Sequence, residues 1–193
     1  SMNDLTKTVQ SASDLEAPVT IPTEGYLSPE YAKAERDKLW RKAWLQAGRL
    51  EDIPNPGDFV TFDIHDDSVI VVREDAETVR AFHNVCIHRG RKLVDTPPGK
   101  RNARGSARAF ICGFHGWAYN RQGKCTFIPH KDDWQGSLTE ESTSLSSVQV
   151  DCWGGWVWIN MDPGAGSLRD YLGVVPDMLD PFELQNMRPR WRK

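Results

Sequence analysis

Cys86-Ile87-His88-Arg89-Gly90 and Cys112-Gly113-Phe114-His115-Gly116 are the two stretches on which the reading of this chain turns. Each offers one thiolate and one imidazole, as C-x-H and then C-x-x-H, and each meets a glycine within two residues of its histidine. A Cys and a His in one short loop can serve two neighbouring metal ions, which are separate ligand targets. Two such loops facing each other would close a cage, and the glycines let backbone N–H groups approach the sulfurs.

This set matches the ligands of a Rieske [2Fe–2S] centre, in which two His replace two Cys on one iron and raise the potential above that of an all-thiolate ferredoxin. The alternative for four thiolate and imidazole ligands is structural zinc. Zinc sites usually pair ligands two to five residues apart, as in C-x-x-C with H-x3-H, so a C-x-H half is unusual for them. A lone C-x-x-H arises by chance and carries little weight.

The 193 residues suffice for one substantial domain with extensions. A net charge of −3 argues against a nucleic-acid binder. No apolar run approaches the roughly 20 residues of a membrane span, and the polar start has no signal-peptide core. Cytoplasmic placement is the expectation. Of the four cysteines, Cys86 and Cys112 belong to the pattern. Cys125 and Cys152 read as reduced, partly buried thiols.

Around the two motifs the chain reads as mainly β. Residues 1–24 are expected to be a flexible tail. Ser28-Pro29-Glu30 starts a helix, with a Ser N-cap, Pro in the first turn and an acid near the positive end of the helix dipole, and the spacing carries it to about Arg41. Period-two segments follow: Trp44 to Leu50, Phe59 to Ile64, Val69 to Arg73, Thr78 to Asn84, Ala109 to Ile111, Trp117 to Tyr119, Cys125 to Ile128, Val148 to Cys152 and Gly155 to Asn160. Asp66-Asp67 suits a hairpin turn. Short strands punctuated by turns predict an antiparallel β-sandwich with a cluster-binding subdomain and an N-terminal helix, spanning 25–160. Residues 161–193 read as a connecting segment, with a helical turn near Leu168 to Leu172 and an end that looks as though the natural chain continues.

With these residues in place, the chain resembles the N-terminal half of the α subunit of Rieske non-haem iron ring-hydroxylating oxygenases. Asn84-Val85-Cys86-Ile87-His88-Arg89-Gly90, Cys112-Gly113-Phe114-His115-Gly116-Trp117 with Tyr119, Trp44…Gly48…Gly57-Asp58-Phe59 and Gly154-Gly155-Trp156-Val157-Trp158-Ile159-Asn160 carry the resemblance. It implies a Rieske-type fold, Cys86 and Cys112 on an inner iron, His88 and His115 on an outer one, and Trp117 packed beneath a ligand loop. It also implies an electron donor that is a ferredoxin or flavin reductase, a homo-oligomer (a trimer) in full-length form, and electron transfer to a mononuclear iron. Unlike high-potential respiratory relatives, this chain has Arg91 and Phe114 at the positions of the inter-loop disulfide. Trp117 replaces their Ser donor, leaving Tyr119 as the available hydroxyl, so a potential at the low end of the Rieske range is expected.

Two features depart from the family. Residues 89 to 111 put 23 residues between His88 and Cys112, more than the family commonly has, and the excess in 95–106 has loop composition. The mononuclear iron needs two His and a carboxylate. After His115 only His130 remains, so that iron is expected only in a further catalytic domain, and no residue here is assigned a catalytic role. His65 reads as a solvated turn residue, His83 as a satisfied strand histidine, and His130 receives no role.

The function implied is one-electron relay to the iron of an aromatic-ring-hydroxylating oxygenase. The rivals are a free-standing Rieske ferredoxin and a zinc-stabilised binding module. A third, nucleic-acid binding through the basic stretch between Arg89 and Arg108, runs against the acidic balance. That stretch holds seven cationic residues and one acid, Asp95. It reads either as a solvated loop or as a surface for an acidic donor.

Overall fold

A computed structural model describes residues 22–188; most of the tail expected over 1–24 and the extreme C-terminal residues lie outside it. The chain divides into two compact units between Glu35 and Arg36. In the first, α1 (Glu24–Leu27) and α2 (Pro29–Glu35) flank Ser28. The Ser28 hydroxyl accepts from Tyr31 N–H at 3.2 Å and donates to Glu30 at 2.9 Å, so the expected cap is formed.

The second unit opens with a π-helical turn, Arg36–Trp40, so the helix expected through Arg41 is α-helical only to Glu35. In that turn Arg36 reaches Asp66 at 2.7 Å, and just beyond it Arg41 forks onto both carboxylate oxygens of Asp67 at 2.7 and 2.9 Å. These acids lie at the hairpin joining β2 (Asp58–Ile64) to β3 (Asp67–Arg73). The turn is His65-Asp66, not Asp66-Asp67. His65 takes the positive φ (50°), and Asp67 pairs with Ile64 as the first residue of β3.

All the ladders are antiparallel. β1 (Leu45–Arg49), β10 (Trp156–Asn160), β9 (Ser147–Trp153), β4 (Val79–His83), β3, β2 and β5 (Arg104–Ser106) form a seven-stranded sheet in that order. β6 (Ala109–Ile111), β7 (Ala118–Asn120) and β8 (Cys125–Phe127) form a second, three-stranded sheet. The run Val69-Ile70-Val71-Val72 explains how the two combine. Val69 and Val71 enter one core with Val60, Val157 and Ile159, whereas Ile70 and Val72 enter another with Phe82, Phe110, Trp117 and Tyr119. A strand covered on both faces needs a continuous apolar run, and each such side chain contributes about 1.5–3 kcal/mol by burial.

β5 corrects the loop expected over 95–106. Arg104–Ser106 pairs with Asp58–Val60, and Thr61 fastens the approach: its N–H donates to the Ala103 carbonyl and its hydroxyl accepts from Ala103 N–H. Gly105 packs on the Phe59 ring so closely that an added Cβ would lie 3.1 Å from it. The glycine that makes the segment look like a loop is what lets this edge strand lie flat. α3 (Glu140–Thr143) lies between β8 and β9; beyond β10, α4 (Leu168–Leu172) forms where a helical turn is expected, and α5 (Val175–Leu179) follows it. Among the described residues no helix is long and apolar enough to cross a membrane.

Candidate metal centre

β4 delivers the chain to Cys86, and β6 delivers it to Cys112. From there the two loops use the same backbone closure. Cys86 N–H donates to the Arg91 carbonyl and Gly90 N–H to the Cys86 carbonyl; Cys112 N–H donates to the Trp117 carbonyl and Gly116 N–H to the Cys112 carbonyl. In each loop the glycine four residues after the cysteine takes positive φ, 72° at Gly90 and 75° at Gly116. The closures match although the histidines stand two and three residues after their cysteines.

The loops bring the two imidazoles into ring contact and bury the two cysteines in one core. Both thiols are buried in the second core, each with 2% exposure, whereas the imidazoles are half-buried at its rim. The His88 and His115 ring centroids are 4.6 Å apart. Cys86 and Cys112 are close enough for each to act on the other's ionisation. Burial pushes the Cys86 thiol up. Burial acts the same way on Cys112, but the N–H groups of Phe114 and His115, together with Cys86 and the charge of Arg91, outweigh it and bring that thiol down. Burial also lowers His88, with the neighbouring His115 next in effect. His88 Nδ1 is buried and has no hydrogen-bond partner. A buried imidazole nitrogen facing no protein donor or acceptor is costly unless something else occupies its lone pair.

Surrounding groups hold this arrangement. Trp117 stacks on the His88 ring at 4.9 Å and 4°, packing against the first ligand loop. Tyr119, fully buried, places its hydroxyl 3.1 Å from Cys86 Sγ. Asn84 accepts from the N–H groups of Leu93 and Val94 and donates to the Val94 carbonyl and to Ser68, which fixes the exit of the first loop. Trp134, not singled out in the sequence, meets both His88 and Trp117. No spacing signal links it to the motifs, since it arrives from a turn 19 residues after His115 (134 minus 115).

The remaining candidates lie elsewhere. His83 faces Asp67 and Arg41 on the sheet, His65 is exposed in its hairpin, and His130 is exposed with φ 52°. Cys125 is partly buried as expected, but Cys152, which pairs with Val157 near the end of β9, is exposed. The basic stretch is partly neutralised: Arg91 pairs with Asp95, Lys92 with Asp63 and Arg104 with Asp52.

The Rieske [2Fe–2S] domain family matches residues 43–151, more than half of the sequence, and the chain belongs to that family. It is 33% identical over 168 residues to the methanesulfonate monooxygenase hydroxylase subunit alpha of Methylosulfonomonas methylovora, covering 84% of this chain and 39% of that protein. It is 36% identical over 155 residues to the large oxygenase component of the naphthalene 1,2-dioxygenase system of Pseudomonas fluorescens, covering 79% of this chain and 33% of that protein. Naphthalene 1,2-dioxygenase from Rhodococcus sp., solved with indole bound, matches with a TM-score of 0.73 and 29% identity over 87% of this chain and 37% of its own. The chain therefore spans 33–39% of the length of these curated relatives, which are named as a subunit and a component of larger systems.

Proposed function

We propose that Cys86, His88, Cys112 and His115 hold the Rieske [2Fe–2S] cluster, the thiolates on one iron and the imidazoles on the other. The observation that carries this is the pair of matched loops, which bury two thiols in one core, set two imidazoles in ring contact at its rim and leave His88 Nδ1 without a protein partner. When bound, the cluster supplies one-electron storage at a potential above that of an all-thiolate centre. The chain's residues provide its setting. Tyr119 and the N–H groups of His88, Phe114 and His115 direct donors at the sulfurs, where negative charge collects. The imidazoles stand at the rim, the side from which an electron can enter or leave.

The chain is, on this reading, the electron-relay part of an oxygenase α subunit, with a cluster domain over 25–160 and a connecting segment over 161–193. A ferredoxin or flavin reductase supplies the electron in the cytoplasm. The acceptor is a mononuclear iron outside this chain, reached across a subunit interface of a homo-oligomer, a trimer. The partial coverage of the relatives and the lack of a second His pair after His115 support this. Hydroxylation of an aromatic ring is the reaction class, which one relative's name supports.

Iron, labile sulfide and zinc analysis with electron paramagnetic resonance of the dithionite-reduced protein tests the assignment. Equal iron and sulfide with a Rieske signal is the expected result. Zinc without visible absorption would overturn it.

A further inference from the structure

Trp134 closes a 3-10 turn, Lys131–Trp134, set between two non-glycine residues of left-handed backbone, His130 at φ 52° and Gln135 at φ 50°. Such conformations persist where the surroundings hold them. Lys131, Asp132 and Asp133 point to solvent, and between β8 and this segment lies a cavity of about 220 Å³ lined by Cys125, Lys131, Leu138 and Thr139. The indole of Trp134, by contrast, meets His88 at 5.8 Å and Trp117 at 5.9 Å, both at 77°. His88 thus has one indole stacked on its face and a second at a right angle. The aromatic neighbours of His115 are Phe114, itself 61% exposed, and His88. Both imidazoles are half-buried, but their aromatic cover differs: His88 has two indoles against it, and the outer one, Trp134, is itself 37% exposed.

We propose that Trp134 is a positioning residue for the redox centre: it excludes water from the His88 edge and so holds the potential down. The inference rests on the ligand assignment above. With two thiolates and two neutral imidazoles, the oxidised centre carries no net charge, since two ferric ions balance two sulfides and two thiolates. One electron from the donor gives it a charge of minus one. Water stabilises the charged state more than the neutral one, so excluding water favours the oxidised form.

The test is the midpoint potential of the whole chain as wild type, Trp134→Ala and Trp134→Phe, by mediated titration followed by paramagnetic resonance and visible circular dichroism. Trp134→Ala should keep the cluster's signature and titrate at a more positive potential, and Trp134→Phe, which keeps a ring in place, should stay near wild type. An unchanged or more negative potential in Trp134→Ala with an intact cluster overturns the inference and leaves the ligand assignment standing. A Trp134→Phe shift as large as that of Trp134→Ala also overturns it. If Trp134→Ala sheds its cluster, Trp134→Leu, a smaller apolar cover, decides: a positive shift supports shielding and no shift overturns it. A wild-type protein without the iron–sulfur spectrum fails the ligand assignment, and this inference with it.

Discussion

The Tyr119 hydroxyl lies 3.1 Å from Cys86 Sγ, deep in the core shared by the two sheets. Burial, reinforced by the neighbouring sulfur, raises its pKa far above that of an ordinary phenol, and the Ile87 N–H donates to its oxygen. Tyr119 is therefore a protonated donor at any working pH. An added electron makes the sulfurs better acceptors, so this bond favours the reduced state. Tyr119→Phe should retain the cluster and lower its potential. A differential stabilisation of about 1 kcal/mol corresponds to roughly 40 mV for one electron. A mediated titration checks the sign.

Replacing any one of Cys86, His88, Cys112 or His115 by Ala should abolish visible absorbance and lower the yield of folded protein, because metal binding and folding are coupled at such sites. Cys125→Ser and Cys152→Ser should keep full iron and sulfide content. Cys125 is the sharper control, since it lies opposite Tyr119 in the β7–β8 ladder yet belongs to neither ligand loop.

Asn84 is 2% exposed, and both ends of its amide are bonded. Asn84→Ala leaves Leu93 N–H, Val94 N–H and the Val94 carbonyl without these partners. The expected loss is about 2–4 kcal/mol, read from urea unfolding, together with faster loss of cluster to a chelator. Asn84→Asp should not rescue, because it turns an acceptor towards the Val94 carbonyl.

Much of this architecture is legible in the sequence. The β-branched run at Val69, the ligand spacing and the caps are local signals, and each carries its own physical reason. What is hidden depends on partners distant in sequence. Arg104–Ser106 has no strand propensity; it is a strand because Asp58–Val60 offers an edge and Gly105 fits under Phe59. Gly123 reads as an ordinary turn residue, yet at φ 79° an added Cβ would meet Phe82 at 2.4 Å, a contact set by the sheet packing. Trp134 reaches His88 only through a turn held by two left-handed residues, which no periodicity announces. At the candidate site the four ligand candidates are readable, whereas the different aromatic cover of the two imidazoles is not.

His83 gives the protein a pH dependence with a definite sign. Burial lowers its pKa from the ordinary 6.5, against the pull of Asp67 and with that of Arg41. The unfolded chain therefore binds its proton first as pH falls through about 6.5, and stability is lost in that direction. Urea midpoints should fall between about pH 7.5 and 5.5, and His83→Gln should reduce the fall. An equal fall in both proteins would assign the effect to other groups.

Donor docking gives the last prediction, and the ion pairs sharpen it. Arg91, Lys92 and Arg104 already have acids at 2.6, 3.5 and 2.6 Å. Among the described residues, Arg89, Lys100, Arg101 and Arg108 are exposed and have no acid partner, so they present positive charge to an incoming protein. If the donor is acidic, these charges act on its encounter rate, and salt screens them over a Debye length of about 10 Å at 0.1 M. Lys100→Glu with Arg101→Glu should slow cluster reduction several-fold at low salt, with the difference shrinking as salt rises and the cluster spectrum unchanged. Arg104→Glu should behave differently, because it sets a second acid beside Asp52 and lowers stability as well as rate. Stopped-flow reduction at two ionic strengths, with urea midpoints for each variant, separates the two cases. A rate indifferent to salt and to the Lys100–Arg101 reversal would leave these charges solvated, with no donor to meet.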